Sequence, residues 1–338
     1  MGSCLSREAV PQNKVVPLFD GEKDYLGERG YTRTLKSKGG LELFAYFWPA
    51  DPNVPLKGIV QLSHGNTTHI CFDYLKFQAN GLPNLYTGSW VAALNAAGFA
   101  VCGADHMGCG RSGGERSAIS RFQQHVDNLV LLADYVRDCG GSAFPRGLPY
   151  FLMGHSMGGL VATLASVQQP DRFAGLVLLA PMLSLEHVSR RNSGLRPVIK
   201  VVSAVAPATK VGSSGGSDTR PGGWIHDAWE ADKHVHNGPM LARTVEEFLS
   251  ATEALCAPGG MEAVTVPLLV FQSRRDTHVE PEGARQLHDR AASKDKQLHE
   301  LTEQWHVLTK EEGWEGLLET TLSWLKARSG RSGGLTSG

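Results

Sequence analysis

Residues 150–164 constrain the fold more than any other stretch of the sequence, because a short apolar run leads into a serine between glycines and then into a helix-like segment. The pattern G-x-S-x-G surrounds Ser156, but it also surrounds Ser112, Ser214 and Ser332. Only Ser156 has a strand-like run before it and a helix-like run after it. Such a turn forces its central residue into a strained backbone and requires small neighbours. We therefore predict a strand, a sharp turn at Ser156 and a helix.

This turn makes Ser156 a candidate nucleophile, because it lifts the serine hydroxyl clear of the sheet. The small neighbours are Gly154, Gly158 and Gly159. The Met157 N–H lies in the first turn of the helix, where it has no intrahelical acceptor and can bind an oxyanion. The alternative is a glycine-rich turn that binds a cofactor phosphate, but that requires Gly-Lys-Ser/Thr or G-x-G-x-x-G, and neither occurs in this stretch. We expect a nucleophile and no cofactor.

A serine nucleophile needs a base that accepts its proton and a carboxylate that orients the base. Asp276 follows a buried-strand pattern, and His306 follows the last strand-like run of the chain. The order serine, acid, histidine is the one used by hydrolases in which strands and helices alternate. We predict that Ser156 is the nucleophile, Asp276 the orienting acid and His306 the base.

Other acids and histidines compete for these roles. Glu280 belongs more naturally to the helix that follows Asp276. His288 lies in a helical pattern and His299 in a strand-like one, and His278 is too close to Asp276 in the same loop to be its partner.

A second oxyanion donor is expected from the loop after the third strand, at residues 63–66. We expect that Gly65 permits a sharp turn there and that the backbone N–H of Asn66 points at Ser156. His64 stands at the end of the strand, where we expect a buried, hydrogen-bonded histidine rather than a base.

The composition excludes several classes of function. The chain has 338 residues, of which 41% are hydrophobic, and its 33 basic and 34 acidic residues nearly cancel, so nothing suggests nucleic acid as a partner. The six cysteines form no C-x-x-C pair, which favours free thiols in a reducing compartment. His226, His234 and His236 suggest a metal at first sight, but without nearby cysteines or an H-x-x-x-H pair we expect no zinc site.

Strand-like and helix-like runs alternate along most of the chain. Two early runs joined at residues 38–40 predict a hairpin, and six later runs alternate with helical stretches. The pattern predicts an α/β fold with a mostly parallel, eight-stranded sheet and helices on both faces. About 85 residues separate the strand that ends near Ala180 from the one that begins at Pro267, which predicts an inserted helical cap. Within it we expect a flexible linker at residues 210–216.

The predicted organisation has five segments. Residues 1–24 form a flexible tail, residues 25–183 and 263–328 form the two parts of the core, residues 184–262 form the cap, and residues 329–338 form a disordered tail.

Four motifs resemble the α/β-hydrolase superfamily, and within it the monoacylglycerol lipase and lysophospholipase-like serine hydrolases of the serine aminopeptidase S33 type. They are S-H-G at residues 63–65, A-D-H-M-G-C-G-R-S-G-G at residues 104–114, G-H-S-M-G-G at residues 154–159 and W-H-V-L at residues 305–308. The resemblance implies an α/β-hydrolase fold, the same catalytic and oxyanion residues, and a structural role for Ser112. It also implies hydrolysis of lipid carboxylic esters, monoacylglycerols or lysophospholipids, through an acyl-enzyme.

The chain departs from the family pattern at three places. The acid loop has no glycine three residues before Asp276, Gln304 stands where a small residue is common, and the stretch between Thr68 and Ser89 is longer than usual. Two alternative functions stay open: an acyltransferase or thioesterase with the same triad, and a non-catalytic receptor or scaffold. The latter normally lacks a triad member, whereas all three are present here.

Residues 1–6, M-G-S-C-L-S, fit the N-myristoylation pattern, with Gly2 exposed after removal of the methionine. Cys4 adds a candidate palmitoylation site; the alternative is a chance match in a tail. One myristoyl chain binds a membrane only marginally, and a second acyl chain makes the anchoring stable. No apolar stretch is long enough to span a bilayer. We therefore expect a cytoplasmic protein that associates with a membrane surface through acylation of Gly2 and Cys4.

Overall fold

The apolar runs of the sequence form a central sheet in the computed structural model, which describes residues 25–78, 82–186, 196–213 and 223–330. The strands are β1 (Tyr31–Lys36), β2 (Glu42–Trp48), β3 (Gly58–Ser63), β4 (Phe99–Ala104), β5 (Tyr150–His155), β6 (Gly175–Leu179), β7 (Lys210–Ser213), β8 (Pro239–Leu241), β9 (Leu268–Ser273) and β10 (Lys296–Leu301). Eight of them form one sheet in the order β1-β2-β4-β3-β5-β6-β9-β10. Within this sheet, as far as the structure describes the chain, only the β1–β2 and β2–β4 pairs are antiparallel, so the prediction of a mostly parallel eight-stranded sheet is confirmed.

The helices of the described residues are α1 (Ile70–Tyr74), α2 (Trp90–Ala96), α3 (Gln123–Cys139), α4 (Met157–Gln168), α5 (Arg196–Val205), α6 (Trp224–Ala231), α7 (Ala242–Cys256), α8 (Pro281–Arg290) and α9 (Trp314–Ser329). Short 3₁₀ turns cover Gly141–Ala143 and Met261–Ala263. None of these helices is long and apolar enough to cross a membrane.

Alternate residues of the central strands point to opposite faces of the sheet, and helices cover both. Phe151 and Met153 of β5 belong to one core cluster, together with Trp90 of α2 and Trp324 of α9. Leu152 belongs to another, to which α4 and α8 contribute. Because β5, β6 and β9 are covered on both faces, they are apolar along most of their length instead of alternating.

The described residues of the insertion between β6 and β9 form three α-helices, α5 to α7, and a two-stranded antiparallel ladder of β7 and β8. The expected flexible linker at residues 210–216 is wrong in its first part, because the backbone of Lys210–Ser213 pairs with Pro239–Leu241. Its remainder, residues 214–216, lies outside the described residues. The sequence analysis also missed the eight-residue helix α6.

Several polar contacts join the cap to the core, among them one place at Thr244 and another at Asp232. Thr244 of α7 accepts the Ile119 N–H at 3.1 Å and donates to the Ser117 carbonyl at 2.7 Å. At the other place, His69 Nε2 donates to the Asp232 carboxylate at 3.0 Å. Burial works to raise the pKa of Asp232, but its hydrogen bond with His69 prevails and lowers that pKa to about 2.

Both predicted tails fall mostly outside the described part of the chain. Residues 1–24, which contain Gly2 and Cys4, and residues 331–338 are not described. The predicted C-terminal tail begins too early, because α9 continues to Ser329.

Candidate active site

Ser156 lies at the turn between β5 and α4 with a backbone φ of 52° and ψ of −121°. This conformation is costly for a residue with a side chain, and it persists only when the surroundings enforce it. Two backbone hydrogen bonds do so: the Ser156 N–H donates to the Leu179 carbonyl at 3.0 Å, and the Met182 N–H donates to the Ser156 carbonyl at 2.9 Å. The predicted strained turn at Ser156 is confirmed.

The glycines around Ser156 are required by close packing. A Cβ on Gly154 would lie 2.4 Å from the Gly158 carbonyl oxygen, and one on Gly158 would lie 2.3 Å from the Ser63 carbonyl oxygen. A Cβ on Gly159 would lie 2.6 Å from the Pro181 ring. No side chain fits at these distances, so the start of α4 can approach β3 and β6 only with glycines.

The structure brings the three predicted catalytic side chains together. Ser156 Oγ lies 3.1 Å from Nε2 of His306, and Nδ1 of the same ring lies 2.8 Å from Oδ2 of Asp276. Asp276 follows β9, and His306 stands between β10 and α9. All three residues are buried, at 7 to 9% exposed. The arrangement can pass a proton from the serine hydroxyl to the imidazole while the carboxylate holds the opposite ring N–H.

The carboxylate of Asp276 is kept ionised although it is buried. Burial works to raise the pKa of Asp276, but the His306 imidazole and hydrogen bonds from two backbone N–H groups lower it below the ordinary value. Those N–H groups belong to His278 and Val279 and lie 2.8 and 3.0 Å from Oδ1. Gln272 donates to Oδ2 at 3.2 Å.

The competing residues lie elsewhere or face other partners. The Glu280 carboxylate accepts hydrogen bonds from the Ser184 hydroxyl at 2.7 Å and the Glu186 N–H at 2.9 Å. The His278 ring packs edge-on against His306, with 4.8 Å between ring centroids. Ser112 has the structural role that the resemblance implies, because its hydroxyl donates to the Asp105 carbonyl at 2.5 Å.

The loop after β3 lies against the turn at Ser156. In the part of the chain that the structure describes, neither the Asn66 N–H nor the Met157 N–H donates to a protein acceptor. The chain turns at residues 66–67, directly after Gly65, and the φ of Gly65 is not in the left-handed region, so the turn does not use the conformational freedom of glycine. A Cβ at this position would lie 3.4 Å from Ser156 Cβ, which is an ordinary van der Waals distance, so close packing does not require glycine there either.

His64 is a buried, hydrogen-bonded residue, as the sequence analysis expected. Its Nδ1 donates to the Gly65 carbonyl at 2.7 Å, and its Nε2 accepts the His106 N–H at 2.7 Å. One nitrogen donates and the other accepts, so the ring is neutral. Complete burial lowers the pKa of His64, which agrees with this tautomer.

The sequence analysis missed a second histidine–aspartate pair beside the turn. His155, which precedes the nucleophile candidate, places its Nδ1 2.9 Å from the Asp73 carboxylate, and both side chains are almost fully buried. Burial works to lower the pKa of His155, but the charge of Asp73 prevails and raises it. His155 belongs to the motif G-H-S-M-G-G at residues 154–159, but no sequence pattern identifies Asp73 as its partner.

A cavity of about 390 Å³ opens above Ser156. The loop after β3 and the loop of His306 form its polar side. The cap supplies most of its apolar wall, namely Ile225, Trp229, Met240, Val245, Phe248 and Leu249. No group of three or more side chains that could hold a metal ion occurs among the described residues, which include the three histidines considered for zinc.

The comparisons with known proteins agree with this geometry. A family model described as serine aminopeptidase, S33, matches residues 84–313. The chain is 28% identical over 306 residues to a monoglyceride lipase of Homo sapiens, across 88% of this chain and 91% of that protein. It is 26% identical over 291 residues to a monoacylglycerol lipase of Mycolicibacterium smegmatis, across 85% of this chain and 94% of that protein.

Among solved structures, the crystal structure of Paleococcus ferrophilus monoacylglycerol lipase is similar to this chain in fold. The TM-score is 0.68 at 22% identity, and the match covers 85% of this chain and 99% of the other. The fold is therefore that of the α/β-hydrolases, and the chain belongs to the serine aminopeptidase S33 family. It is a serine hydrolase of carboxylic esters.

Proposed function

We propose that the protein hydrolyses monoacylglycerols through an acyl-enzyme on Ser156, with His306 as base and Asp276 as the acid that orients it. The observation that carries the proposal is the chain of contacts at 3.1 and 2.8 Å through the two nitrogens of His306, set beneath an apolar cavity. Relatives that align over nine-tenths of their length are a monoglyceride lipase and a monoacylglycerol lipase, which supports the choice of substrate.

In the acylation step, Nε2 of His306 accepts the proton of the Ser156 hydroxyl as Oγ attacks the ester carbonyl carbon. The carbonyl oxygen becomes an oxyanion, which accepts hydrogen bonds from the N–H groups of Asn66 and Met157. Collapse of this intermediate breaks the bond to the glycerol oxygen, which takes the proton from His306. The products of this step are glycerol and a serine ester.

In the deacylation step, His306 removes a proton from a water molecule that attacks the serine ester. The same two N–H groups hold the second oxyanion. Collapse then releases the fatty acid and returns the proton to Ser156. Throughout, Asp276 accepts the Nδ1–H of His306, which keeps Nε2 directed at Ser156 and stabilises the imidazolium.

The triad predicts how three variants behave in two measurements: labelling by a fluorophosphonate, which reacts with activated serines, and kcat for ester hydrolysis. We expect Ser156→Ala to abolish labelling, and Asp276→Asn to lower kcat on the order of 10⁴-fold because the histidine loses its orienting acceptor. Glu280→Gln is the matched control, because Glu280 is a buried acid close in sequence to Asp276 with other partners. Persistent labelling of Ser156→Ala, or loss of activity in Glu280→Gln with Asp276→Asn unaffected, would contradict these roles.

We further propose that the cap wall binds the acyl chain. Residues from α6 and α7 cover the cavity above Ser156, and its volume of about 390 Å³ falls within the usual range for small-molecule sites. Burial of each additional methylene contributes about 0.8 kcal/mol, which corresponds to about a fourfold gain in kcat/KM. The gain ends where the chain reaches the end of the cavity.

Esters of increasing chain length test this assignment. We expect kcat/KM to rise by about fourfold per methylene up to an optimum, and Val245→Trp, which fills the cavity from α7, to shift that optimum to shorter chains. Val205→Trp is the matched control, because Val205 lies on the cap but is 76% exposed. A two-carbon optimum without activity on monoacylglycerol contradicts the lipase proposal, and equal shifts in both variants contradict the role of the cap wall.

We also propose that acylation of Gly2 and Cys4 holds the enzyme at a membrane, where its substrates reside. The support comes from the sequence M-G-S-C-L-S alone. A myristoyl chain gives an association constant of only about 10⁴ M⁻¹, so stable anchoring depends on a second chain on Cys4.

Fractionation of a eukaryotic cell that expresses the protein tests the anchor. We expect Gly2→Ala to abolish membrane association and Cys4→Ser to make it weak and reversible. Ser3→Ala is the matched control, because the pattern does not specify that position. A wild-type protein found wholly in the soluble fraction, with an unmodified Gly2 by mass spectrometry, would overturn the proposal.

A further inference from the structure

The carboxylate of Asp73 lies at the junction of two catalytic segments. Asp73 belongs to the short helix α1, and its side chain is fully buried. One carboxylate oxygen, Oδ2, accepts the Gly65 N–H at 2.7 Å and the His155 ring at 2.9 Å. The first contact fixes the residue before Asn66, and the second fixes the residue before Ser156.

The other nitrogen of His155 reaches the third catalytic segment. Its Nε2 lies 3.1 Å from the backbone carbonyl oxygen of His306. A carboxylate and a carbonyl are both acceptors, so both ring nitrogens of His155 must donate. The ring is therefore an imidazolium, and with Asp73 it forms a buried ion pair directly beside the nucleophile candidate.

Lys310 provides a second link between α1 and the loop of His306. Its ammonium group donates to the Leu75 carbonyl at 2.8 Å, at the end of α1, and lies 5.4 Å from the centre of the Phe72 ring. Lys310 lies four positions after His306, so the helix that carries Asp73 also contacts the chain just beyond the catalytic histidine.

We propose that Asp73 and His155 are positioning residues, which set the distances between the nucleophile, the base and the oxyanion donors. Asp73 accepts hydrogen bonds from Gly65 and His155, and His155 also donates to the His306 carbonyl. These three hydrogen bonds connect three segments that are distant in the sequence. Removal of one partner leaves the other charge buried and unpaired, which is strongly unfavourable. The segments then shift relative to one another, and a displacement of about 1 Å costs on the order of 100-fold in rate.

The proposal rests on the triad proposed above, and its test compares Asp73→Ala with Asp73→Asn. The asparagine has the same shape, and its oxygen at the position of Oδ2 accepts both the Gly65 N–H and the Nδ1–H of a neutral His155, a tautomer that no longer donates from Nε2 to the His306 carbonyl. With a short-chain p-nitrophenyl ester we expect kcat to fall about 100-fold in Asp73→Ala, with KM within about threefold. Asp73→Asn should recover about tenfold of that loss, because the two hydrogen bonds to Oδ2 return without the charge and without the bond to the His306 carbonyl.

Tyr74→Phe is the matched control from the same helix. The Tyr74 hydroxyl is buried, donates to the Ser63 carbonyl at 2.9 Å and is also hydrogen-bonded to the backbone of His155, so its removal costs buried hydrogen bonds without touching the His155 side chain. End-point titration with a fluorophosphonate gives the concentration of competent enzyme in each variant, and kcat is expressed per titrated site. We expect Tyr74→Phe to retain wild-type kcat on this scale.

Three results would overturn the proposal: wild-type kcat per site in Asp73→Ala, an equal loss in Tyr74→Phe, or a loss confined to KM, which would indicate contact with substrate. If Asp73→Ala does not fold, Asp73→Asn decides, because it should remain about tenfold slower than Tyr74→Phe per site. Failure of the triad itself appears separately, as labelling that persists in Ser156→Ala.

Discussion

The backbone of Ser156, with its φ of 52°, is the constraint on which the rest of the site depends. The conformation persists because the Ser156 N–H donates to the Leu179 carbonyl and the Ser156 carbonyl accepts the Met182 N–H. In addition, Gly158 and Gly159 have no side chains that would hold the start of α4 away from the sheet. The same turn presents the serine hydroxyl to the cavity and leaves the Met157 N–H without a protein acceptor. In the proposed mechanism, strain at one residue thus supports two roles, that of Ser156 as nucleophile and that of the Met157 N–H as oxyanion donor.

The other parts of the site come together because the sheet is mostly parallel. Loops after β3, β5, β9 and β10 leave the same edge, so residues far apart in the sequence meet there without long connections. Two aspartate–histidine pairs flank the serine: Asp276 holds the imidazole that contacts Ser156, and Asp73 holds the imidazolium whose other nitrogen donates to the backbone of His306. The Asp276–His306 pair contacts the Ser156 hydroxyl, whereas the Asp73–His155 pair contacts backbone groups. The cap lines the cavity above Ser156.

The sequence alone predicts what is local. The G-x-S-x-G turn, the strands and the acid and histidine that follow β9 and β10 each carry their own pattern, so their positions agree with the structure. The ion pair of Asp73 and His155 cannot be predicted in this way, because its partners are 82 residues apart and Asp73 lies in a stretch without a motif. The ladder of Lys210–Ser213 with Pro239–Leu241 was also missed, because it too depends on pairing between distant segments. The glycine and serine of Lys210–Ser213 suggest a linker, and only the pairing makes this segment a strand.

Trapping the acyl-enzyme tests the central claim most directly. The enzyme is mixed with monooleoylglycerol, quenched in acid within the first turnover, digested and analysed by peptide mass spectrometry. The account predicts an oleoyl ester on the peptide that contains Ser156, which disappears as oleate is released and never forms in Ser156→Ala. Release of oleate from monooleoylglycerol without an acylated Ser156, or with the acyl group on another residue such as Ser112, would contradict it.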